Sequence, residues 1–590
     1  MRKRVLSALA FIIACVSVKA GFVREDVAAR YAQTVMGMAS QPQPDNISAQ
    51  RVSGRGGKDE MPNYYIFNNP DGGWVIISAD DRTSPVLAYS DNGYFCSTDM
   101  PENLELWMDG VGQTIESIRK SDIKASPQVE AEWKQDRPLL AAGGDRKVLQ
   151  TANWNQKEPY NMLCPVVKGE NERSVAGCVA TATAIIMRYH KWPAHGKGVV
   201  GGYYTSNGSY VSAYSIENHY YDWDEMPLTD AAGKYSGWTE TQLEQVAQLI
   251  HDCGVIEKTD YSLSGSASYS IYAKEGLKNH LYYSQKVIYL YKSNYDAQKW
   301  FSIIRREIDE NRPVLYGGNN DSAGHEFVCD GYDSDGLKLH FNWGWGGKSN
   351  GFFSVDLPKT SATSPFMINQ EALVGICPEN VQIEQTEPEL FSIVKNDDFY
   401  GIEPVMTDGL TAGSNLRFRV GNFLCPSAEY LSYRFKICLF DKDGNLKQEG
   451  WNHHAAFTGH GIFCESFYTD PDILAVIPEL TDTFKLYVQQ PDGTWTNVRG
   501  NSEFNPDLKY VCCGVTMDPV ILLPDDYGVG QEVDLRLSLG FTPVKSVKWS
   551  VNGQNSDGHI RLQSGKTRIR ADVKYLDGSS GYILRTVDLE

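Results

Sequence analysis

Ser174-Val-Ala-Gly-Cys178-Val-Ala-Thr-Ala-Thr-Ala-Ile-Ile-Met-Arg-Tyr189 is the stretch on which the reading of this chain turns. Val179, Ala182, Ile186 and Tyr189 fall on one stripe at helical spacing, which predicts a helix over Gly177 to His190 that starts close to Cys178. A thiol at a helix N-terminus feels the positive end of the macrodipole, which favours its thiolate. Gly177 before it and the small residues after it leave room for another backbone to approach. By itself the helix reads sooner as a buried element with a packed cysteine.

Three further segments supply what a reactive thiol needs. In Ala323-Gly324-His325-Glu326-Phe327-Val328 a histidine follows a glycine and enters an apolar strand, so a rigid element holds it. In Phe341-Asn342-Trp343-Gly344-Trp345-Gly346-Gly347, Asn342 or Trp343 is the candidate third group that fixes an imidazole. Trp154-Asn155-Gln156 precedes the Cys helix and offers the Gln156 side-chain amide to an oxyanion. Each has an ordinary structural reading on its own, as a strand-end histidine or a packed aromatic turn. Together they give an amide donor, a thiol, an imidazole and an orienting group in one domain and in that order.

The rest of the chain frames that domain. Its 590 residues are 42% hydrophobic and 22% charged, as in globular domains, and the net charge of −19 excludes a nucleic-acid role, which needs a basic surface. Arg2, Lys3 and Arg4 precede an apolar run from Val5 to Val18, and Val18-Lys-Ala20 offers a cleavage site, so residues 1–20 read as a Sec signal peptide. Ile12-Ile-Ala-Cys15 is a competing lipoprotein site, in which case Cys15 would carry the membrane anchor. No later apolar stretch is long enough to span a bilayer.

Residues 21–145 read as an α+β unit, with a helix from Asp26, strands at Tyr64–Phe67 and Trp74–Ile77, and an amphipathic helix opening at Pro101 through Leu104, Trp107, Val111, Ile115 and Ile118. Its end, from residue 122 to about 150, is expected to be an exposed linker suited to proteolysis. Residues 146–380 combine helices in the first half (Gly177–His190, Thr239–Cys253) with strands in the second (Val314–Tyr316, Glu326–Cys329, Leu337–Phe341, Gly351–Val355), and one more helix over Ala297–Glu310. Alternating runs such as Leu416–Val420 and Val547–Val551 predict β-sandwiches at 385–515 and 516–590. None of the twelve cysteines forms a zinc-type CxxC pair, and His453, His454 and His460 lack companions at ligand spacing, so no metal or cofactor is expected.

The matching segments Trp154–Asn161, Gly177–Ala184 with Met187 and Tyr189-His190, Gly324-His325, and Asn342–Gly347 followed by Gly351-Phe-Phe353 resemble the streptopain family of papain-like cysteine proteases over about 140–377. The resemblance implies an α+β fold: a papain-like domain of a helical lobe and a β lobe, preceded by an α+β prodomain and followed by two all-β, Ig-like sandwiches. It implies Cys178 as nucleophile, His325 as proton acceptor, Gln156 as oxyanion donor, Asn342 and Trp343 as the groups that hold the histidine, and Ser266 and Gly324 as substrate contacts. Glu326 departs from the family pattern, which has a small apolar residue there. An acidic group after the histidine bears on its pKa or on substrate preference. Residues 21–145, and Gly73–Asp81 in particular, resemble the family's inhibitory propeptide, with removal expected between Arg137 and Arg146.

The implied partners are protein or peptide substrates and the chain's own propeptide, with a membrane only if Cys15 is lipidated. The implied location is outside a Gram-negative cell, at its surface or in its periplasm. Two alternatives stand beside this reading: an adhesin whose protease domain is inactive, and a thiol transferase of the transglutaminase kind.

Overall fold

The computed structural model describes residues 21–36, 61–97, 100–134, 145–228, 235, 237–319, 324–358, 363–384 and 387, and most of 392–589 apart from 501–519 and shorter gaps. The expected signal peptide with Cys15, the segment 135–144 and His460 lie outside the described residues.

The N-terminal unit contains α1 (Glu25–Val35), the antiparallel strands β1 (Tyr64–Asn68), β2 (Trp74–Ser78) and β3 (Val86–Ser90), α2 (Glu102–Arg119) and α3 (Pro127–Trp133). In α2 every residue of the expected stripe is buried. Residues 122–134 and 145–150 are not the plain linker expected. Ser126 caps α3 by accepting from the Val129 amide, with Pro127 at the first helical position. Trp133 anchors that helix by donating from Nε1 to the Thr83 carbonyl at 2.9 Å. Strand β4 (Arg146–Val148) then pairs with a strand of the central domain.

The central domain begins with α4 (Cys178–His190), in which every residue from Cys178 to Arg188 is buried. Its alanines and threonines allow neighbours to approach it on all sides. Two short ribbons follow, β5 (Val199–Val200) with β8 (Tyr214–Ser215) and β6 (Tyr203–Tyr204) with β7 (Tyr210–Val211). Next come α5 (Glu240–Ile256), opened by a Thr239/Gln242 capping box, and α6 (Ser270–His280). The strand-rich half holds β9 (Ile288–Tyr291), α7 (Ala297–Asp309), β10 (Val314–Asn319), β11 (Gly324–Asp333), β12 (Lys338–Asn342), β13 (Gly351–Ser354), α8 (Pro365–Ile368) and β14 (Gln370–Val374).

These strands form one sheet with the N-terminal unit, in the order β1-β2-β3-β13-β12-β11-β10-β14-β9, with β4 also on β11. Because side chains alternate along a strand, the sheet buries two different cores. Phe327, Tyr316 and Ala372 belong to a core shared with α2 and α7, whereas Val328, Leu315 and Leu373 belong to one shared with α4 and α5. This is the papain-like α+β arrangement expected, with a helical lobe against one face of the β lobe. All-β sheets follow. In one, Leu416, Phe418 and Val420 point inward onto Phe435, Trp451 and Phe484, and in another Ile569, Ala571 and Val573 pack on Ile521 and Val533.

Glu257, which caps the C-terminus of α5, is fully buried, and burial pushes its carboxyl up to about 8. A folded-state pKa above the unfolded one means this group's contribution is intact in acid and is lost as pH rises through about 8. Glu257→Gln is therefore expected to raise Tm relative to wild type by a margin that grows from about pH 5 to about pH 8. Thermal denaturation at both values checks this, and an equal margin at both contradicts it.

Candidate active site

Cys178 is the first residue of α4, and the backbone before it is built for close approach. Gly177 has φ +97°, and a Cβ there would lie 3.1 Å from the Ser266 carbonyl oxygen. Ser266 holds this corner together by donating to the Val175 carbonyl at 2.7 Å. Gln156 is tied to the same corner, since its carbonyl accepts from the Ala176 amide at 3.0 Å. The tryptophan–glycine loop closes the ring: the Gly346 amide donates to the Trp154 carbonyl at 2.8 Å, and a Cβ on Gly344 would be 3.4 Å from the Thr181 methyl. On the β lobe, the backbone amide of Glu326, next to His325, faces the Cys178 sulfur. The four segments singled out from the sequence, together with Ser266, thus meet at the start of one helix.

The two titratable groups are held neutral. Burial pushes the Cys178 thiol up to about 12, an effect opposed by the Glu326 amide and reinforced by the Glu326 carboxyl. Burial also pushes the His325 imidazole down to about 4. His325 shares its sheet face with Phe327, the prodomain side, and its Nε2 lies 3.8 Å from Glu102 Oε2 while its buried Nδ1 has no partner. Beside it, Asn103 donates from Nδ2 to the Trp343 carbonyl at 2.8 Å. The N-terminus of the prodomain helix α2 therefore occupies the histidine side of the site.

Asn342 and His325 are not joined here. The Asn342 Nδ2 donates to Thr151 Oγ1 at 3.0 Å and to the Ala152 carbonyl at 2.9 Å, and its Oδ1 accepts from the Gly344 amide at 3.2 Å. Asn342 pairs with Val328, which places it on the helical-lobe face, opposite to the side the imidazole takes. Trp343 is fully buried among Phe327, Phe341 and Phe353 and donates from Nε1 to the Ser349 carbonyl at 3.1 Å. Its contribution is to fix the strand that carries the histidine. Gly324 is exposed at the start of β11. Sequence reasoning missed Glu102 and Asn103, whose only signal was their position at the opening of an amphipathic helix. It also missed Glu371, a neighbour of Glu326.

The prodomain is fastened by more than α2. Strand β3 pairs with β13 (Phe352 with Tyr89, Phe353 with Ala88), and the Tyr89 and Phe352 rings stack at 4.9 Å. Tyr89 also donates to Asp333, Trp107 donates from Nε1 to the Ser354 carbonyl at 3.1 Å, and Arg146 pairs with Asp91.

A family model described as the Peptidase C10 family matches residues 154–353, and one described as the Spi protease inhibitor matches residues 20–115. The thiol protease/hemagglutinin PrtT of Porphyromonas gingivalis is 30% identical over 393 residues, 63% of this chain and 43% of that protein, so the chain spans less than half of that relative. Streptopain of Streptococcus pyogenes is 33% identical over 356 residues, 57% of this chain and 85% of streptopain. Among solved structures, a prointerpain A fragment from Prevotella intermedia aligns at 29% identity over 54% of this chain and 96% of its own, with a TM-score of 0.45.

Proposed function

Because this chain belongs to the Peptidase C10 family, we propose that it is a cysteine endopeptidase made as a zymogen, with Cys178 as nucleophile and His325 as its base. The carrying observation is the placing of the Cys178 thiol at a helix start, against the backbone of the residue that follows His325. With the prodomain gone, the imidazole turns toward the sulfur and takes its proton. The thiolate attacks the peptide carbonyl, and Gln156 and the Cys178 amide accept the oxyanion as hydrogen-bond donors. The imidazolium then protonates the leaving amine. Water hydrolyses the thioester and restores the thiol. Asn342, on the face the imidazole must reach, offers Oδ1 to orient it.

The off state follows from the same groups. A thiol at about 12 beside an imidazole at about 4 forms no ion pair near neutral pH. Removal of the prodomain admits water and frees the histidine. Asp145 to Val148 are docked, through the ion pair of Asp145 with Arg305 and the pairing of β4 with β11, so the cut belongs within 135–144. The basic, apolar N-terminus supports export through a Sec signal, with Cys15 as the alternative lipid attachment point. Among the described residues no helix is long and apolar enough to cross a membrane.

Incubating purified precursor with casein beside Cys178→Ala, and sequencing the new N-termini, tests the proposal. Internal casein cleavage and a cut in 135–144, both absent from the variant, are expected. Amine-linked products without new N-termini would contradict it. Iodoacetamide should label Cys178 at least about 100-fold faster after the linker is cut than before, since a thiol near 12 is almost wholly protonated at neutral pH. Equal rates would show that the prodomain does not control the thiol.

A further inference from the structure

Glu326 stands one residue from the candidate base and its backbone faces the nucleophile, yet the steps above give its side chain no task. Across the three adjacent strands β11, β10 and β14, Gly317 pairs with Glu326 on one side and with Glu371 on the other. Laterally paired residues share a face, and here it is the face of Leu315, Val328 and Leu373, which packs with Cys178. Gly317 makes the arrangement possible, because a Cβ there would lie 2.0 Å from Glu326 Oε1 and 2.3 Å from Oε2. The Glu326 carboxyl is thus folded over a bare backbone toward Glu371. Ser270 Oγ donates to Glu371 Oε1 at 2.8 Å.

Glu326 is only 8% exposed and Glu371 9%, and Glu326 Oε2 has no hydrogen-bond partner. Buried carboxyl oxygens are ordinarily satisfied, so an unpartnered one beside a nucleophile marks a place for a donor from outside. Two carboxyls in contact share one proton and keep one negative charge, which matches one cation. In keeping with this, burial and Glu371 hold the Glu326 carboxyl far above the usual carboxylate range.

We propose that Glu326 and Glu371, meeting over Gly317, form the floor of a substrate subsite beside Cys178 that takes the cationic side chain of a lysine or arginine in the peptide. The assignment rests on the endopeptidase reading above. A peptide whose carbonyl lies on the Cys178 sulfur runs past the Glu326 backbone, so a neighbouring side chain reaches the carboxyl pair. An ammonium or guanidinium supplies the missing donor and neutralises the charge. An aliphatic side chain leaves both carboxyls desolvated and Oε2 unpaired, which is the condition under which a polar site discriminates strongly.

The test uses linker-cleaved full-length enzyme and fluorogenic peptides in which each of the three residues on the acyl side is in turn Lys, Arg, Leu or Glu. At one position the basic peptides should exceed the Leu peptide in kcat/KM by at least about tenfold. That ratio should fall to about threefold or less in Glu326→Ala and in the near-isosteric Glu326→Gln, because kcat/KM drops far more on the basic peptides than on the Leu peptide. Gly317→Ala, which displaces the Glu326 carboxyl, should lower the ratio in the same way. A wild type without basic preference at any position overturns the proposal. So does a preference that survives both Glu326 variants, or a uniform loss across all peptides, which marks a purely structural pair. If wild type cleaves no peptide and Cys178 is not labelled, the endopeptidase reading has failed, and this assignment with it.

Discussion

Cys178→Ala is expected to lower kcat/KM on a peptide substrate by at least about 10⁴-fold while leaving the precursor folded and uncut. The loss is expected to be large because the proposed mechanism gives this sulfur the covalent intermediate, and no other described cysteine stands at the start of a helix facing His325's strand. Folding should survive. Cys178 is followed by Val179, Ala180 and Ala182 in a core of small side chains, so losing one sulfur leaves a small gap. His325→Ala should give a similar loss, and the double variant little more, because the proposed mechanism has thiol and imidazole act as a unit. Steady-state kinetics on linker-cleaved protein read all three. Additive losses in the double variant would mean that the two groups do not work together.

The second large effect concerns latency. Gly351 lies at the edge of the protease sheet where β3 of the prodomain docks, and a Cβ there would stand 2.6 Å from the Tyr89 carbonyl oxygen and 2.9 Å from the Trp74 ring. The nearest atoms it would meet all belong to the prodomain. Gly351→Ala should therefore spoil prodomain seating, with the mature fold little changed. In uncut precursor, the rate of Cys178 alkylation is expected to rise at least about tenfold, which corresponds to about 1.4 kcal/mol of lost docking energy. After cleavage, kcat/KM should match wild type within about twofold. Precursor labelling as slow as in wild type would show that α2, through Glu102 and Asn103, suffices for silencing without the strand pairing.

Much of the fold was legible because its key elements carry strong local patterns. The stripe Leu104, Trp107, Val111, Ile115, Ile118 is a one-sided apolar face and is buried as such. Strands β1 and β2 are continuous apolar runs beside a glycine turn. Other elements gave no such signal. In helix α6, Ser270, Tyr272, Gly276 and Asn279 weaken the helical signal of its alanine, lysines, glutamate and leucine, and it forms because Ile271, Ala273 and Leu277 find the helical-lobe core. Strand β14 opens with Gln370 and Glu371, whose polarity hides a central, fully buried strand. Arg146 looked like exposed linker because its aromatic and acidic partners, Phe352 and Asp91, are distant in sequence.

The site shows the same division. Cys178, His325 and Gln156 stand in motifs with short-range signatures: a glycine before the thiol, a glycine before the imidazole, and an amide just upstream. The contacts of Glu102 with His325, Asn103 with Trp343 and Glu326 with Glu371 join segments far apart in the chain, and single-sequence periodicity carries no register between such segments. Asn342 reads as a partner for the histidine by its place in the motif. In the prodomain-covered state its amide is engaged with Thr151 and Ala152 instead.

The most direct test of the whole account is a crystal structure of the linker-cleaved enzyme freed of residues 21–134. The His325 ring is expected to leave the face it shares with Phe327 and to bring one nitrogen to within about 3.5–4 Å of the Cys178 sulfur. A ring that remains on the vacated prodomain face, with the sulfur still meeting only the Glu326 amide, would contradict it.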